Sequence, residues 1–71
     1  MNKKKIGTNA GIIWNLLNNY QKWNISQLQE ASGLTEREIY CAIGWLAREN
    51  KIEIDISTEG NENYYLIDSY F

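Results

Sequence analysis

Residues 34–50, "LTEREIYCAIGWLAREN", carry the pattern that decides the fold. Thr35 is followed three residues later by Glu38, the spacing of a capping box, in which two side chains satisfy free backbone N–H groups where a helix begins. Apolar residues then recur at helical spacing and predict one inward-facing stripe: Ile39, Ala42, Ile43, Leu46 and Ala47. The stretch therefore predicts a helix that ends near Asn50.

Upstream of this segment the same criteria predict two more helices. Residues 8–20 hold an apolar stripe at i, i+3, i+4 and i+7, which predicts an amphipathic helix: Ala10, Ile13, Leu16, Leu17 and Tyr20. Ser26 with Gln29 three residues on predicts a second capping box and a short helix over residues 26–31. Gly33 in "SGL" can take a positive φ at low steric cost, so it predicts a tight turn between the second and third helices.

Downstream of Asn50 the apolar period changes to two. Ile52, Ile54 and Ile56 alternate with charged residues, which predicts a strand with one buried face. "STEGNEN" is a polar turn containing glycine, and "YYLI" predicts the returning strand of a hairpin, with Tyr64 and Leu66 facing the core. Ile25 is a candidate for a short extra strand that pairs with this hairpin.

The order of these elements predicts an α+β fold. Two helices joined by a tight turn that contains glycine form a helix-turn-helix, and a β-hairpin directly after the recognition helix is the wing. A chain of 71 residues has enough apolar material for one small core and not for two. We therefore predict a single winged helix-turn-helix domain over residues 1–71, with residues 1–6 as a flexible basic arm.

Composition argues against catalysis and against a metal site. The chain has no histidine and one cysteine, Cys41, so it lacks the commonest general base and a thiol pair for a disulfide or metal. We expect no enzymatic activity, no cofactor and no metal. No apolar run is long enough to cross a bilayer and the start of the chain lacks a convincing signal-peptide cleavage site, so we expect no membrane association and a cytoplasmic location.

Charge is distributed unevenly along the chain, whose formal net charge is −2. Residues 1–25 carry four lysines and no acidic residue, whereas residues 51–71 carry one lysine and five acidic residues. Sequence-independent affinity for DNA comes from clustered Lys and Arg, so the front of the chain suits a phosphate backbone and the wing does not.

The segment "ISQLQEASGLTEREIYCAIGWLARENKI", residues 25–52, resembles a group of small stand-alone winged-helix domains of bacteria and archaea that have no established function. The matching residues are Leu28, Ala31, Gly33, Leu34, Thr35, Ile39, Ile43, Gly44, Trp45 and Leu46. For the wider superfamily the resemblance implies DNA binding and often dimerisation. Most of these residues pack the domain, so the resemblance is informative about the fold and much less about activity.

If the third helix enters a major groove, its early outward positions should carry the contacts. The candidates are Thr35, Arg37, which can pair with guanine, and Tyr40, which can donate to a phosphate or stack. Lys3, Lys4 and Lys5 are candidates for phosphate contacts, although a solubilising terminus is the alternative for such a run. For Arg37 the alternative is an exposed charge paired with a neighbouring glutamate.

A second set of candidates is aromatic or apolar and falls on the flanks of the predicted elements. Exposed apolar clusters usually mark a partner site, so we predict a homodimer or partner surface from these residues: Trp14, Trp45, Tyr65, Ile67, Tyr70 and Phe71. Two functions follow from the sequence. The first is a DNA-binding, regulator-like module with weak or assisted affinity, and the alternative is a protein-interaction or dimerisation module that does not bind DNA.

Overall fold

In the computed structural model, which describes residues 1–19 and 21–67, three helices precede a two-stranded antiparallel hairpin. The helices are α1 (Lys3–Leu17), α2 (Ile25–Ser32) and α3 (Glu36–Arg48), and the strands are β1 (Ile52–Ile56) and β2 (Glu62–Leu66). The α+β winged helix-turn-helix predicted from the sequence is thus confirmed.

Helix α1 begins at Lys3, well before the predicted start at Thr8. The Asn2 side chain accepts a hydrogen bond of 2.8 Å from the Lys5 backbone N–H, which caps the helix at its N-terminal end. The prediction of a flexible arm over residues 1–6 is therefore wrong, because Lys3, Lys4 and Lys5 form the first helical turn. Ala10, Ile13 and Leu17 of the predicted stripe are buried. Tyr20, the last stripe residue, lies outside the described residues.

The cap of α2 also differs from the prediction. Asn24, rather than Ser26, accepts from the Gln27 backbone, and the Gln27 side chain accepts from Asn24 N–H in return. The asparagine forms the same reciprocal box two residues earlier, since Asn caps as well as Ser does. At the other end Gly33 has φ of 74°, which confirms the left-handed turn predicted there.

Helix α3 confirms the predicted cap and most of the stripe. Thr35 Oγ1 accepts from the Glu38 backbone at 3.1 Å, and Glu38 Oε1 accepts from Thr35 N–H at 2.9 Å. Ile39, Ala42, Ile43 and Leu46 are buried. Ala47 is exposed, contrary to the prediction, because it is turned about 100° around the helix axis from Leu46.

The hairpin attaches to the helices by its base and by one bridge. Asn50, with φ of 60°, turns the chain from α3 into β1. Trp23 and Tyr64 then exchange two backbone hydrogen bonds, so the expected short extra strand lies at Trp23 rather than Ile25, which begins α2. This bridge fixes the wing against the segment that enters α2.

The core lies between α1, α3 and the base of the hairpin. It consists of Ala10, Ile13, Leu17, Leu28, Ile39, Ala42, Ile43, Leu46, Ile52, Tyr64 and Leu66. The prediction that Ile52, Ile54 and Ile56 share a buried face is wrong for two of them. Ile54 is 43% exposed and Ile56 is 64% exposed, because the distal half of the hairpin extends beyond the packed helices.

Candidate functional site

The N-terminal end of α3 is held rigidly by its capping box. Thr35 is exposed, yet its side-chain oxygen already accepts the Glu38 N–H, so its hydroxyl keeps mainly donor capacity for a ligand. Hydrogen bonds from Thr35 are the main reason that the pKa of Glu38 lies below its ordinary value of 4.5. Glu38 therefore stays ionised in the first turn, where the helix dipole favours an anion.

Arg37 and Tyr40 lie on the outward side of the same helix. Both are exposed, Tyr40 by 47%. Arg37 forms no ion pair with any residue in the described ranges, which leaves its guanidinium in solvent and does not support the alternative of a pair with a neighbouring glutamate. Both side chains are thus accessible from solvent, which a residue that contacts a major groove must be.

The lysine turn, defined as Lys3, Lys4 and Lys5, is the first turn of α1, and Lys5 approaches the N-terminal end of α3. The positive charge of Lys5 contributes to the lowered pKa of Glu38, after the hydrogen bonds from Thr35. The three lysines lie in the first turn of α1, so their charge adds to the partial positive charge that the helix dipole places at that end. The fold therefore brings Lys5 near the first turn of α3, although the two segments are far apart in the sequence.

Asn9 is a buried polar residue on the face of α1 that meets α3, and no pattern in the sequence distinguishes it. Its side chain is 1% exposed, and its amide favours the charged form of Glu38. Within the described ranges no side chain or backbone oxygen accepts a well-formed hydrogen bond from Asn9 Nδ2. Asn9 thus places a polar group at the contact between the two helices that carry the candidate cations.

A polar groove of about 660 Å³ separates Tyr40 from the wing tip. Its lining is drawn from three places in the chain: Asn24, Ile25 and Ser26 at the start of α2, Tyr40, and Gly60, Asn61, Glu62 and Asn63 at the wing. The sequence pattern indicated Tyr40 but not the amide residues, because asparagines in a turn are read first as turn formers.

Beside this groove, the side chains of Tyr64 and Glu62 are joined by a hydrogen bond. Tyr64 Oη donates a hydrogen bond of 2.6 Å to Glu62 Oε1. Burial, followed by the neighbouring carboxylate, raises the pKa of Tyr64, so the phenol remains neutral and keeps donating. Glu62 thus places an acidic side chain at the groove.

Tyr65 and Ile67 alternate onto the same face of the returning strand, and Trp14 of α1 meets the base of the wing through Lys51. Lys51 Nζ stands 5.4 Å from the centre of the Trp14 ring, and the Lys51 carbonyl accepts from Ile67 N–H at 3.0 Å. Lys22 Nζ stands 5.4 Å from the centre of the Tyr65 ring and forms an ion pair of 2.9 Å with Asp55. We call Trp14, Tyr65 and Ile67 the outer patch.

Of the remaining candidates, the structure describes only Trp45. Trp45 is 41% exposed on α3, on the flank that also carries Cys41 and Arg48 one turn away. Tyr70 and Phe71 lie outside the described residues. Cys41 is a free, half-buried thiol.

The described ranges contain no group of three or more His, Cys, Asp or Glu residues placed to hold a metal ion. None of the three helices in this part of the chain combines the length and apolar character that crossing a bilayer requires.

Two solved structures share this architecture. BT2368 from Bacteroides thetaiotaomicron, solved by NMR, is 38% identical with a TM-score of 0.84, over 93% of this chain and 79% of that one. HOP2, in a structure that describes its DNA recognition and protein interaction domains, is 22% identical with a TM-score of 0.69, over 83% of this chain and 98% of that one. The HOP2 likeness shows the fold alone.

No curated protein sequence is significantly similar to this chain. The family model that matches is described as a winged helix-turn-helix domain, and it aligns with residues 1–67, nearly the full length. The helices, the tight turn at Gly33 and the wing that follows α3 all fall within that match. The chain therefore belongs to the winged helix-turn-helix domain family DUF2582.

Proposed function

We propose that the chain is a DNA-binding module that contacts duplex DNA with the first turn of α3 and the lysine turn of α1. The observation that carries this proposal is the exposure of Arg37 and Tyr40 on the outward side of the recognition helix, and the approach of Lys5 to the first turn of that helix adds to it. In this arrangement Arg37 reads a base edge, Tyr40 lies against the backbone, and the lysines neutralise phosphates. HOP2, which has the same fold, has a structure described in terms of DNA recognition.

The affinity should be modest and sensitive to salt. Few cations face the duplex, and Glu36 and the acidic wing oppose phosphate, so the favourable contacts are confined to one end of the domain. Weak binding by one domain fits a protein that acts as a homodimer or together with another factor, since two recognition helices one DNA turn apart reinforce each other's binding. A cytoplasmic, non-catalytic role is part of this proposal.

Fluorescence anisotropy with a labelled random duplex tests DNA binding directly. We expect saturable binding at low salt that weakens steeply as salt rises, because counterion release dominates non-specific affinity. Absence of binding at the lowest salt concentration would reject the proposal.

The second candidate function is a protein-interaction module that has no DNA partner. The outer patch supports it, because Trp14 is 40% exposed and Tyr65 and Ile67 are half-exposed, and none of the three belongs to α3. Aromatic residues with a polar rim are typical of interface centres. A protein that self-associates at tens of micromolar, and that shows no anisotropy change with DNA, would establish this function in place of the first.

A further inference from the structure

The outer edge of β1 has an open hydrogen-bonding ladder. In an antiparallel pair, residues that exchange hydrogen bonds alternate with residues whose backbone groups point away. Ile67 N–H donates to the Lys51 carbonyl and Ser57 N–H donates to the Asn61 carbonyl, so positions 51, 53, 55 and 57 bond to β2. The backbone N–H and C=O groups of Ile52, Ile54 and Ile56 therefore point outward.

This edge is unoccupied within the described part of the chain. The Trp23 bridge pairs with Tyr64 on β2 and extends the sheet on the other side. No hydrogen bond from the residues of the described ranges reaches the outward backbone groups of Ile54 or Ile56. The same two residues expose their side chains on one face of the hairpin, opposite Tyr64 and Glu62 in the register. Backbone donors and acceptors and two apolar side chains thus lie along one edge.

The charges on the strand decide what can bind to this edge. In the antiparallel register that places Ile54 opposite Ile54 of a second copy, Glu53 of each copy lies opposite Asp55 of the other. Shifting the register by two residues places Glu53 opposite Glu53, or Asp55 opposite Asp55. Like charges directly opposite destabilise a sheet, so the edge is poorly suited to pairing with itself.

We infer that the edge of β1 binds an extended peptide segment in which Lys or Arg alternates with apolar residues. The segment adds a third strand to the hairpin, its backbone bonds to Ile54 and Ile56, and its cations lie opposite Glu53 and Asp55. The complementary charge comes from Glu53, which forms no ion pair with any described residue, and from Asp55, which already pairs with Lys22 at 2.9 Å and is shared with it. This surface is separate from the α3 face, so it does not depend on the proposed DNA contact.

A peptide titration followed by backbone amide NMR tests this inference. The probe is the capped peptide Lys-Val-Lys-Val-Lys-Thr, and two controls are the same peptide with Glu for Lys and the clustered isomer Lys-Lys-Lys-Val-Val-Thr. We expect saturable shifts and slowed exchange at the Ile54 and Ile56 amides with the alternating peptide, and no saturation with either control.

Variants separate backbone pairing from apolar contact. Ile56→Pro removes an outward N–H without removing a bond to β2, a substitution that edge strands tolerate, and it should weaken binding by about tenfold. The double variant Ile54→Thr, Ile56→Thr keeps the outward backbone groups and removes apolar side-chain surface. Its loss of peptide affinity should be smaller than that of Ile56→Pro. Ile12→Thr on α1 is the matched control, because Ile12 is 39% exposed and lies off the wing; it should bind like the native chain.

Three outcomes would overturn the inference. The first is equal binding of the alternating and clustered peptides, which would mean charge attraction without strand pairing. The second is unchanged affinity in both wing variants. The third is a native homodimer, measured by sedimentation, that Ile56→Pro converts to monomer, because the occupant of the edge would then be a second copy.

Discussion

Trp23 and Tyr64 are joined by two backbone hydrogen bonds, 2.9 Å from Trp23 N–H to the Tyr64 carbonyl and 2.8 Å from Tyr64 N–H to the Trp23 carbonyl. Tyr64 is also a buried core residue at 1% exposure. One residue thus fixes the wing to the segment before α2 and fills the space beneath it. The position of the wing relative to the recognition helix follows from this double role.

Tyr64→Phe should reduce the free energy of unfolding by about 0.5–1.5 kcal/mol, because it removes the hydrogen bond to Glu62 and leaves the ring in place. Tyr64→Ala should cost about 3–5 kcal/mol, since it also empties a core site. Urea denaturation measures both. An equal cost for the two variants would show that the ring contributes little to the core.

Gly33 and Gly44 provide a matched pair for backbone conformation. A Cβ at either position would meet no atom within 4 Å, but only Gly33, with φ of 74°, is left-handed. Gly33→Ala should destabilise the domain by about 1–2 kcal/mol. Gly44→Ala should stabilise it by about 0.5–1 kcal/mol, because Gly44 lies within α3. Thermal or urea denaturation that gave both variants the same sign would contradict the assigned turn.

The capping box at α3 should make stability depend on acid pH. Because the pKa of Glu38 is lowered in the folded state, its contribution is fully present above its ordinary pKa of 4.5 and disappears as pH falls through the folded value. Glu38→Gln should therefore lose stability at neutral pH and show a shallower decline below pH 4.5. Denaturation curves of the two proteins with the same slope over that range would exclude Glu38 as the titrating group.

Self-association should depend on the outer patch rather than on all exposed aromatics. Trp14→Ala and Tyr65→Ala should shift a sedimentation profile at tens of micromolar toward monomer, whereas Trp45→Ala, which removes an equally exposed tryptophan from α3, should not. A monomeric native protein, or an equal effect of all three variants, would remove the outer patch from any dimer interface.

Much of the fold could be predicted because local and tertiary preferences agree. The box at Thr35 and Glu38, the glycine turn at Gly33 and the stripe at Ile39 and Ile43 each combine a local signal with burial. Helix starts were predicted less well. Asn2 is followed three residues later by Lys5, so no capping box marks it, whereas Asn24 with Gln27 fits the box pattern as well as Ser26 with Gln29 does, and the sequence does not decide between them. A cap is recognisable in sequence only when its partner residue is recognisable too.

The candidate site was predicted one residue at a time and not as an arrangement. Arg37 and Tyr40 follow from helical spacing, but the approach of Lys5 to Glu38 depends on how α1 packs against α3, which no local pattern contains. The exposure of Ile54 and Ile56 was missed for a related reason. Alternation predicts which face of a strand is apolar, whereas the length of the helices beneath it decides how much of that face is covered.

Substituting Arg37 and substituting the lysine turn should impair DNA binding in different ways. Arg37→Ala should reduce the preference among duplex sequences, because it removes a base contact, and should change affinity for random DNA less. Arg48→Ala is the matched control, as it removes an exposed arginine from the last turn of the same helix. Competition with unrelated duplexes measures the preference, and identical behaviour of the two variants would rule out base reading by Arg37.

The salt dependence of duplex binding by the native chain and by the Lys3→Gln, Lys4→Gln, Lys5→Gln triple variant tests the central claim most directly. If the lysine turn neutralises phosphates beside α3, the triple variant binds every duplex more weakly, and its slope of log affinity against log salt falls by about 0.9 for each phosphate that the lysines no longer neutralise. An unchanged slope and affinity in the triple variant, or no duplex binding by the native chain at low salt, would contradict it.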